Sequence, residues 1–226
     1  MKETHAKVFN ILKANQTRGM LLDVAGGDGG FASRLRETGY SAIFCDMYRP
    51  ERIHAPFVQA DMNSAIPFKT NSFHTVTCME SLQYLENHKL LFRELAGILK
   101  KDGRLFISMP NILNLSSRLY FLNRGYFKYF KPFKRNKEGR EWDRIIYSPI
   151  SFVEVFQLLD LNGFRIETLY ASRYRYREWP LFLIYAALNR LLSAFKRDER
   201  EGMFSRLLAS REILLGDHII IIAKKN

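Results

Sequence analysis

Leu21-Leu22-Asp23-Val24-Ala25-Gly26-Gly27-Asp28-Gly29-Gly30 is the stretch on which the reading of this chain turns. Apolar residues end a strand, an acid follows, and a loop of small residues leads into a helix. Glycine has no Cβ, so such a loop lets a ligand approach the backbone closely. The helix beyond it begins with N–H groups that have no partner within the helix. Strand, small-residue loop and helix in this order form a nucleotide-binding unit of the α/β kind.

Two ligand classes compete for the loop. Gly27-x-Gly29-x-x-Ala32 fits the dinucleotide pattern in its Gly/Ala form. Asp23 at the strand end and Asp28 inside the loop speak against it, because two anions repel a pyrophosphate. The same acids suit a ligand that carries an ammonium and a sulfonium, which describes S-adenosylmethionine.

Further acids follow at strand ends. Ser41-Ala42-Ile43-Phe44-Cys45-Asp46 places Asp46 23 residues after Asp23, and Phe57-Val58-Gln59-Ala60-Asp61-Met62 closes on Asp61. A carboxylate can accept from two adjacent ribose hydroxyls. A strand from 73 to 79, a helix from 87 to 100, the Asp102-Gly103 turn and a strand from 104 to 109, ending in Pro110-Asn111, continue the alternation. With these residues the chain resembles the class I S-adenosylmethionine-dependent methyltransferases, most densely from Met20 to Asn111. It is similar in particular to the small bacterial type that follows the ubiquinone-pathway enzymes. The family motif acid-x-Gly-x-Gly-x-Gly stands here as Asp23-x-Ala25-x-Gly27-x-Gly29, with Ala25 in place of the first glycine.

The resemblance implies site roles. Asp23 holds the methionine amino group, directly or through water, and the backbone of Ala25, Gly26, Gly27 and Gly29 packs on the cofactor. Asp46 takes the ribose, Met47 packs on the adenine, Asp61 accepts from the adenine amino group, and Met62 adjoins it. It also implies a fold: an α/β, Rossmann-like, seven-stranded and mainly parallel sheet in the order 3-2-1-4-5-7-6. The last strand is antiparallel, and helices lie on both faces. The chain from 1 to 226 reads as one methyltransferase domain, with a basic, aromatic insertion at about 112–147 and a helical one at about 178–212. His74 stands where the family has an acid, at a structural position. Asp143 aligns where the family has a histidine near its substrate.

Bulk properties narrow the remainder. A chain of 226 residues, 47% hydrophobic, can bury one sizeable core. Cys45 and Cys78 each lie inside a strand and have no partner at metal-ligand spacing, so they read as buried thiols in a reducing compartment and no metal site is expected. The first residues are polar, and no run approaches the ~20 apolar residues of a spanning helix, which reads as cytoplasmic. A net charge of +12 favours anionic partners.

Beyond the alternating core, a leading helix covers 4–16, and further helices are expected at 111–123, 150–161 and 180–197, with a short one after the charged interval 197–201. Strands are expected at 164–170 and 216–223. Arg124 to Lys137 interleaves cations with Tyr and Phe. It reads as a lid over the acceptor, as a nucleic-acid patch, or as a solvated loop whose aromatics tuck inward. No RNA-binding module accompanies it, which counts against nucleic acid. The 180–197 helix, with Arg175, Arg177, Arg190, Lys196 and Arg197, suits either packing on the sheet or on a second subunit, or peripheral contact with the inner face of a membrane.

Methyl transfer from a sulfonium needs a base only where the acceptor must lose a proton. Glu80 and Tyr84, just after the fourth strand, are the candidates, ahead of His88, Asn111 and Asp143. His88 reads as a solvated residue at a helix start. The acceptor suggested by the resemblance and the basic face is small or lipid-linked, a glycan intermediate or a quinone-like ring, methylated on oxygen. A nicotinamide oxidoreductase and a non-catalytic S-adenosylmethionine-binding module are the rival classes.

Overall fold

Leu21, Leu22 and Val24 are fully buried in β1 (Met20–Val24), which explains why this strand is apolar on both faces. It pairs in parallel with β2 (Ser41–Asp46) on one side and β4 (Phe73–Met79) on the other. The chain runs outward to β3 (Phe57–Gln59), returns to β4, and continues to β5 (Leu99–Pro110), so a topological switch point lies at the carboxyl end of β1. The structure, a computed structural model, describes residues 3–15, 18–130, 149–193 and 199–226.

Seven strands form one sheet in the order β3-β2-β1-β4-β5-β7-β6. β7 (His218–Lys225) runs antiparallel between β5 and β6 (Phe164–Ala171), as the family resemblance implies. The isoleucine run in β7 has a simple cause. Successive strand residues point to opposite faces: Ile219 and Ile221 enter one core with Phe92, Val155 and Leu159, while Ile220 and Ile222 enter the other with Phe31, Leu35 and Phe106. Helices α1 (Glu3–Ala14) and α2 (Gly30–Glu37) supply the second core. Helices α3 (His88–Ile98) and α5 (Phe152–Leu161) supply the first.

Several boundaries differ from the sequence expectation. β5 begins at Leu99, paired with Phe73, and kinks through a turn in which Asp102 has φ +64°. Helix α4 (Leu115–Arg124) starts four residues late. Asn111 is 1% exposed, and its Nδ2 donates to the carbonyls of Ile213 and Gly216; Asn114 caps the helix by accepting from Ser117 N–H. Helix α6 (Trp179–Ser193) is followed by α7 (Glu199–Leu208) and α8 (Arg211–Leu215), two helices where one was expected. Both α4 and α6 follow the carboxyl ends of sheet strands, β5 and β6, so they rise from the same edge as the glycine loop.

Candidate active site

The loop after β1 carries Ala25, Gly27 and Gly29 at φ +56°, +62° and +77°. Each glycine answers a different constraint. A Cβ on Gly29 would meet the Phe44 ring at 2.3 Å, and one on Gly26 would lie 2.9 Å from both Asp23 Oδ2 and Phe44 Cβ. A Cβ on Gly27 would meet no protein atom within 4 Å, because that backbone faces open space. Ala25 holds a left-handed conformation in which its Cβ is a cost, which explains why glycine suits the family at that position.

The loop's N–H groups are already engaged. Gly27 N–H donates to Asp46 Oδ2 at 3.0 Å, and Gly30 N–H, at the start of α2, donates to Asp28 Oδ1 at 3.0 Å. A pyrophosphate would need these donors and would face two carboxylates. Asp46 Oδ1 also accepts from Tyr48 N–H, so this side chain ties the first loop to the end of β2.

Asp23 lies beneath the loop, 3% exposed, and accepts from Thr77 Oγ1 at 2.6 Å. Burial pushes its pKa up to about 7 against the opposing Thr77 hydrogen bond, and the nearby Asp46 charge adds to the rise. Burial likewise pushes the Cys45 and Cys78 thiols up to about 12, which leaves both inert.

Two cavities of about 630 and 250 Å³ open along this edge and share Ala25, Met79 and Glu80. Asp46, Met47, Asp61, Met62 and Tyr84 all line the smaller one. Gly26 and Gly27 line the larger one, with His5, Phe31 and Arg34 of α1 and α2 on its far wall. Asp23 and Gly29 line neither cavity: one supports the loop from below and the other packs against Phe44. The residues fit S-adenosylmethionine on three counts. An exposed glycine backbone borders the larger cavity, Asp46, Asp61, Met47 and Met62 are among the residues that line the smaller, and the buried Asp23 carboxyl lies under the loop that joins them.

Of the two catalytic candidates, Glu80 reaches both cavities, whereas Tyr84, 41% exposed, belongs to the smaller alone. Glu80 adopts φ +54°, uncommon for a residue with a side chain. Ser108 Oγ donates to Glu80 Oε1 at 2.8 Å, Glu80 N–H is bound by the Ser108 carbonyl and hydroxyl, and His218 Nε2 stands 3.3 Å from Glu80 Oε2. Ser108 and His218 escaped the sequence reading, as did His5, Phe31 and Arg34. His218 opens the one antiparallel strand, so its position at the carboxyl edge follows only once that reversal is applied to a residue number.

Of the other candidates, His88 and Asn111 line neither cavity. His88 is not solvated but 6% exposed, with Nε2 at 2.8 Å from the Leu82 carbonyl and Nδ1 at 3.5 Å from Glu154. Asn111 is buried in the hydrogen bonds given above. Asp143 lies outside the described residues, as do residues 131–137 of the basic, aromatic stretch. His74 is structural, its Nδ1 accepting from Met20 N–H at 3.2 Å.

A family described as a methyltransferase domain matches residues 2–195. No curated protein matches the chain by sequence. Among solved structures, an S-adenosylmethionine-dependent methyltransferase from Archaeoglobus fulgidus superimposes with a TM-score of 0.61 at 17% identity, over 98% of this chain and 92% of that one. The Burkholderia thailandensis 1,6-didemethyltoxoflavin-N1-methyltransferase, solved with 1,6-didemethyltoxoflavin and S-adenosylhomocysteine, gives 0.57 at 13% identity over 99% and 78%. The [4+2]-cyclase SpnF gives 0.55 at 18% identity over 97% and 80%. At these identities the structures speak for the fold.

Proposed function

The chain belongs to the class I S-adenosylmethionine-dependent methyltransferases, and on that premise we propose that it methylates an oxygen of a small or lipid-linked acceptor, a glycan or a quinone-like ring. The observation that carries the cofactor half is the gathering of Asp46, Met47, Asp61 and Met62 around one cavity that meets a second, glycine-floored one at Ala25, Met79 and Glu80. Bound there, S-adenosylmethionine supplies an electrophilic methyl group on a sulfonium that leaves as a neutral thioether.

The chain's own residues do the rest. Asp46 and Asp61 accept hydrogen bonds from the nucleoside end, and Met47 and Met62 give it an apolar wall. Tyr84 borders the same space. Gly26 and Gly27 let the ligand lie against bare backbone, and the Asp23 carboxyl beneath them favours a cationic neighbour. Holding acceptor and methyl donor in line supplies much of the rate. A hydroxyl acceptor must also lose its proton, and Glu80 is the group we assign to receive it, fixed by Ser108 and His218. This carboxylate at the junction of the two cavities supports methylation on oxygen. The net charge of +12 supports an anionic or membrane-borne acceptor, with the enzyme cytoplasmic and the region of 180–197 against the membrane's inner face. The resemblance to the small bacterial type near the ubiquinone-pathway enzymes supports the acceptor classes named. We read the whole chain as one domain.

Calorimetry with S-adenosylhomocysteine and with NADH tests the cofactor assignment. Binding of the first and not the second is expected, and the reverse would return the loop to a nicotinamide enzyme. Asp46→Ala is expected to weaken S-adenosylhomocysteine at least about tenfold, the scale of one lost charged hydrogen bond. Supplying methyl-labelled donor and the protein to a cell extract identifies the acceptor from its labelled product.

A further inference from the structure

Among its described side chains, the apolar face of α6 is only half used. Phe182 and Tyr185 pack with Leu115, Leu214 and Leu215. Leu181, Ile184 and Leu188, spaced i, i+3, i+7, point away from that contact and are 46%, 68% and 52% exposed. Helix α4 repeats the pattern: Leu115 is buried, but Leu119 and Leu122 are 53% and 84% exposed. Arg118 of α4 donates to Tyr185 Oη of α6, and the turn before α6 is tied to α4 by Arg175 to Ser116 Oγ and by Ser116 N–H to Glu178 Oε2. Two stripes of large aliphatic side chains therefore stand open at one edge of the molecule, more than scattered surface leucines would supply.

The charge of the chain is concentrated in the sequence around these two helices, part of it in residues 131–147 and 194–197, which lie outside the described residues. Residues 111–147 carry nine Lys and Arg against three acids, and residues 172–197 carry six against one. Together they account for all but one unit of the net charge of +12. Aliphatic stripes within strongly basic segments match an anionic lipid surface, where acyl chains receive the leucines and headgroups meet the cations. A second copy of this chain would instead bring the same positive segments face to face.

We propose that the outward faces of α4 and α6 form a docking surface for a membrane of anionic lipid. Both helices rise from the carboxyl edge of the sheet, so docking turns the mouth of the two cavities toward the bilayer. The proposal deepens the reading of a lipid-linked acceptor and rests on it for the purpose of docking, while the docking itself is measured without any acceptor.

The full chain is mixed with sedimentable vesicles of phosphatidylcholine alone, or of phosphatidylcholine with about one third phosphatidylglycerol, enough to give a negative surface potential. It is expected to pellet with the anionic vesicles only and to be released by high salt. In a Trp142→Phe background the emission of Trp179, at the start of α6, is expected to shift to the blue on binding. The pair Leu122→Gln and Ile184→Gln is expected to weaken vesicle binding about tenfold or more, with affinity for S-adenosylhomocysteine unchanged as the measure of an intact fold. Failure of the unaltered protein to pellet with anionic vesicles at low salt would overturn the proposal. So would wild-type-like vesicle binding by the pair, or a dimer that the pair disrupts in a protein that ignores vesicles. A wild-type chain that binds vesicles but not S-adenosylhomocysteine would sink the methyl-transfer reading and leave the docking surface in place.

Discussion

Gly27 and Gly29 are two residues apart and share a left-handed backbone, yet their substitution to alanine should have different consequences. Gly29→Ala drives a methyl into the Phe44 ring and should leave little folded protein. Gly27→Ala costs about 1 kcal/mol for the backbone alone, so it should fold, with a thermal midpoint lowered by a few degrees. Its methyl projects into the larger cavity, and calorimetry should find S-adenosylhomocysteine affinity reduced about tenfold or more. Asp23 gives a second expectation. Its folded pKa, about 7, lies above the unfolded value of 3.8, so the native state holds its proton more tightly. The stability this brings is complete below about pH 4 and lost as pH rises to about 7, a change of about 4 kcal/mol. Urea denaturation across that range should show the decline in the wild type and not in Asp23→Asn. A cationic ligand reverses the preference, so its affinity should rise as pH passes through about 7. Asp46 and Asp61 were legible in the sequence because each closes a short apolar run, and a strand end is visible without knowing the strand's neighbours. The burial of Asp23 was not, because it depends on Gly26 lying across the carboxylate.

Buried polar groups tie elements together alongside the apolar cores. Asp217, just before β7, accepts from Tyr129, Arg173 and Arg175, and through Arg175 reaches Glu178 at the threshold of α6. Burial raises its pKa, but these three donors outweigh that and hold it below the usual carboxylate range. The sign is opposite to that of Asp23: the clasp contributes fully above the unfolded value of 3.8 and is lost as pH falls below it, through the lowered folded pKa. Asp217→Ala removes the acceptor shared by Tyr129, Arg173 and Arg175, leaving Arg175 with Glu178, and should lower stability by about 1–2 kcal/mol in thermal denaturation, with α6 the first part to gain amide exchange. None of this was visible in the chain, because the partners lie 42, 44 and 88 residues from Asp217. The same limit explains His88, whose burial comes from Leu82 and Glu154, and the late start of α4, where Asn111 is drawn to α8 instead of into a helix. Boundaries set by local chemistry fared better: β1, β2 and β4 end within a residue of expectation, at or just before Ala25, Asp46 and Glu80, small or acidic residues that stop an apolar run.

At the scale of the molecule the strand order was legible only through the family resemblance. Alternating strands and helices imply a parallel sheet, but nothing local in an all-isoleucine run announces that it reverses direction. By alternation along the strand β7 also faces both cores, since Ile219 and Ile221 serve one and Ile220 and Ile222 the other. Ile221→Ala should therefore cost about 3 kcal/mol and should lower stability without altering affinity for S-adenosylhomocysteine, since no cavity wall includes it. The insertion of β7 has a consequence for biosynthesis. Translation completes β5 at Pro110, and its partner begins at His218, so over a hundred residues emerge while that edge waits unpaired. A nascent chain in this interval offers an apolar ribbon to any other strand it meets, and is the natural client of a holding chaperone.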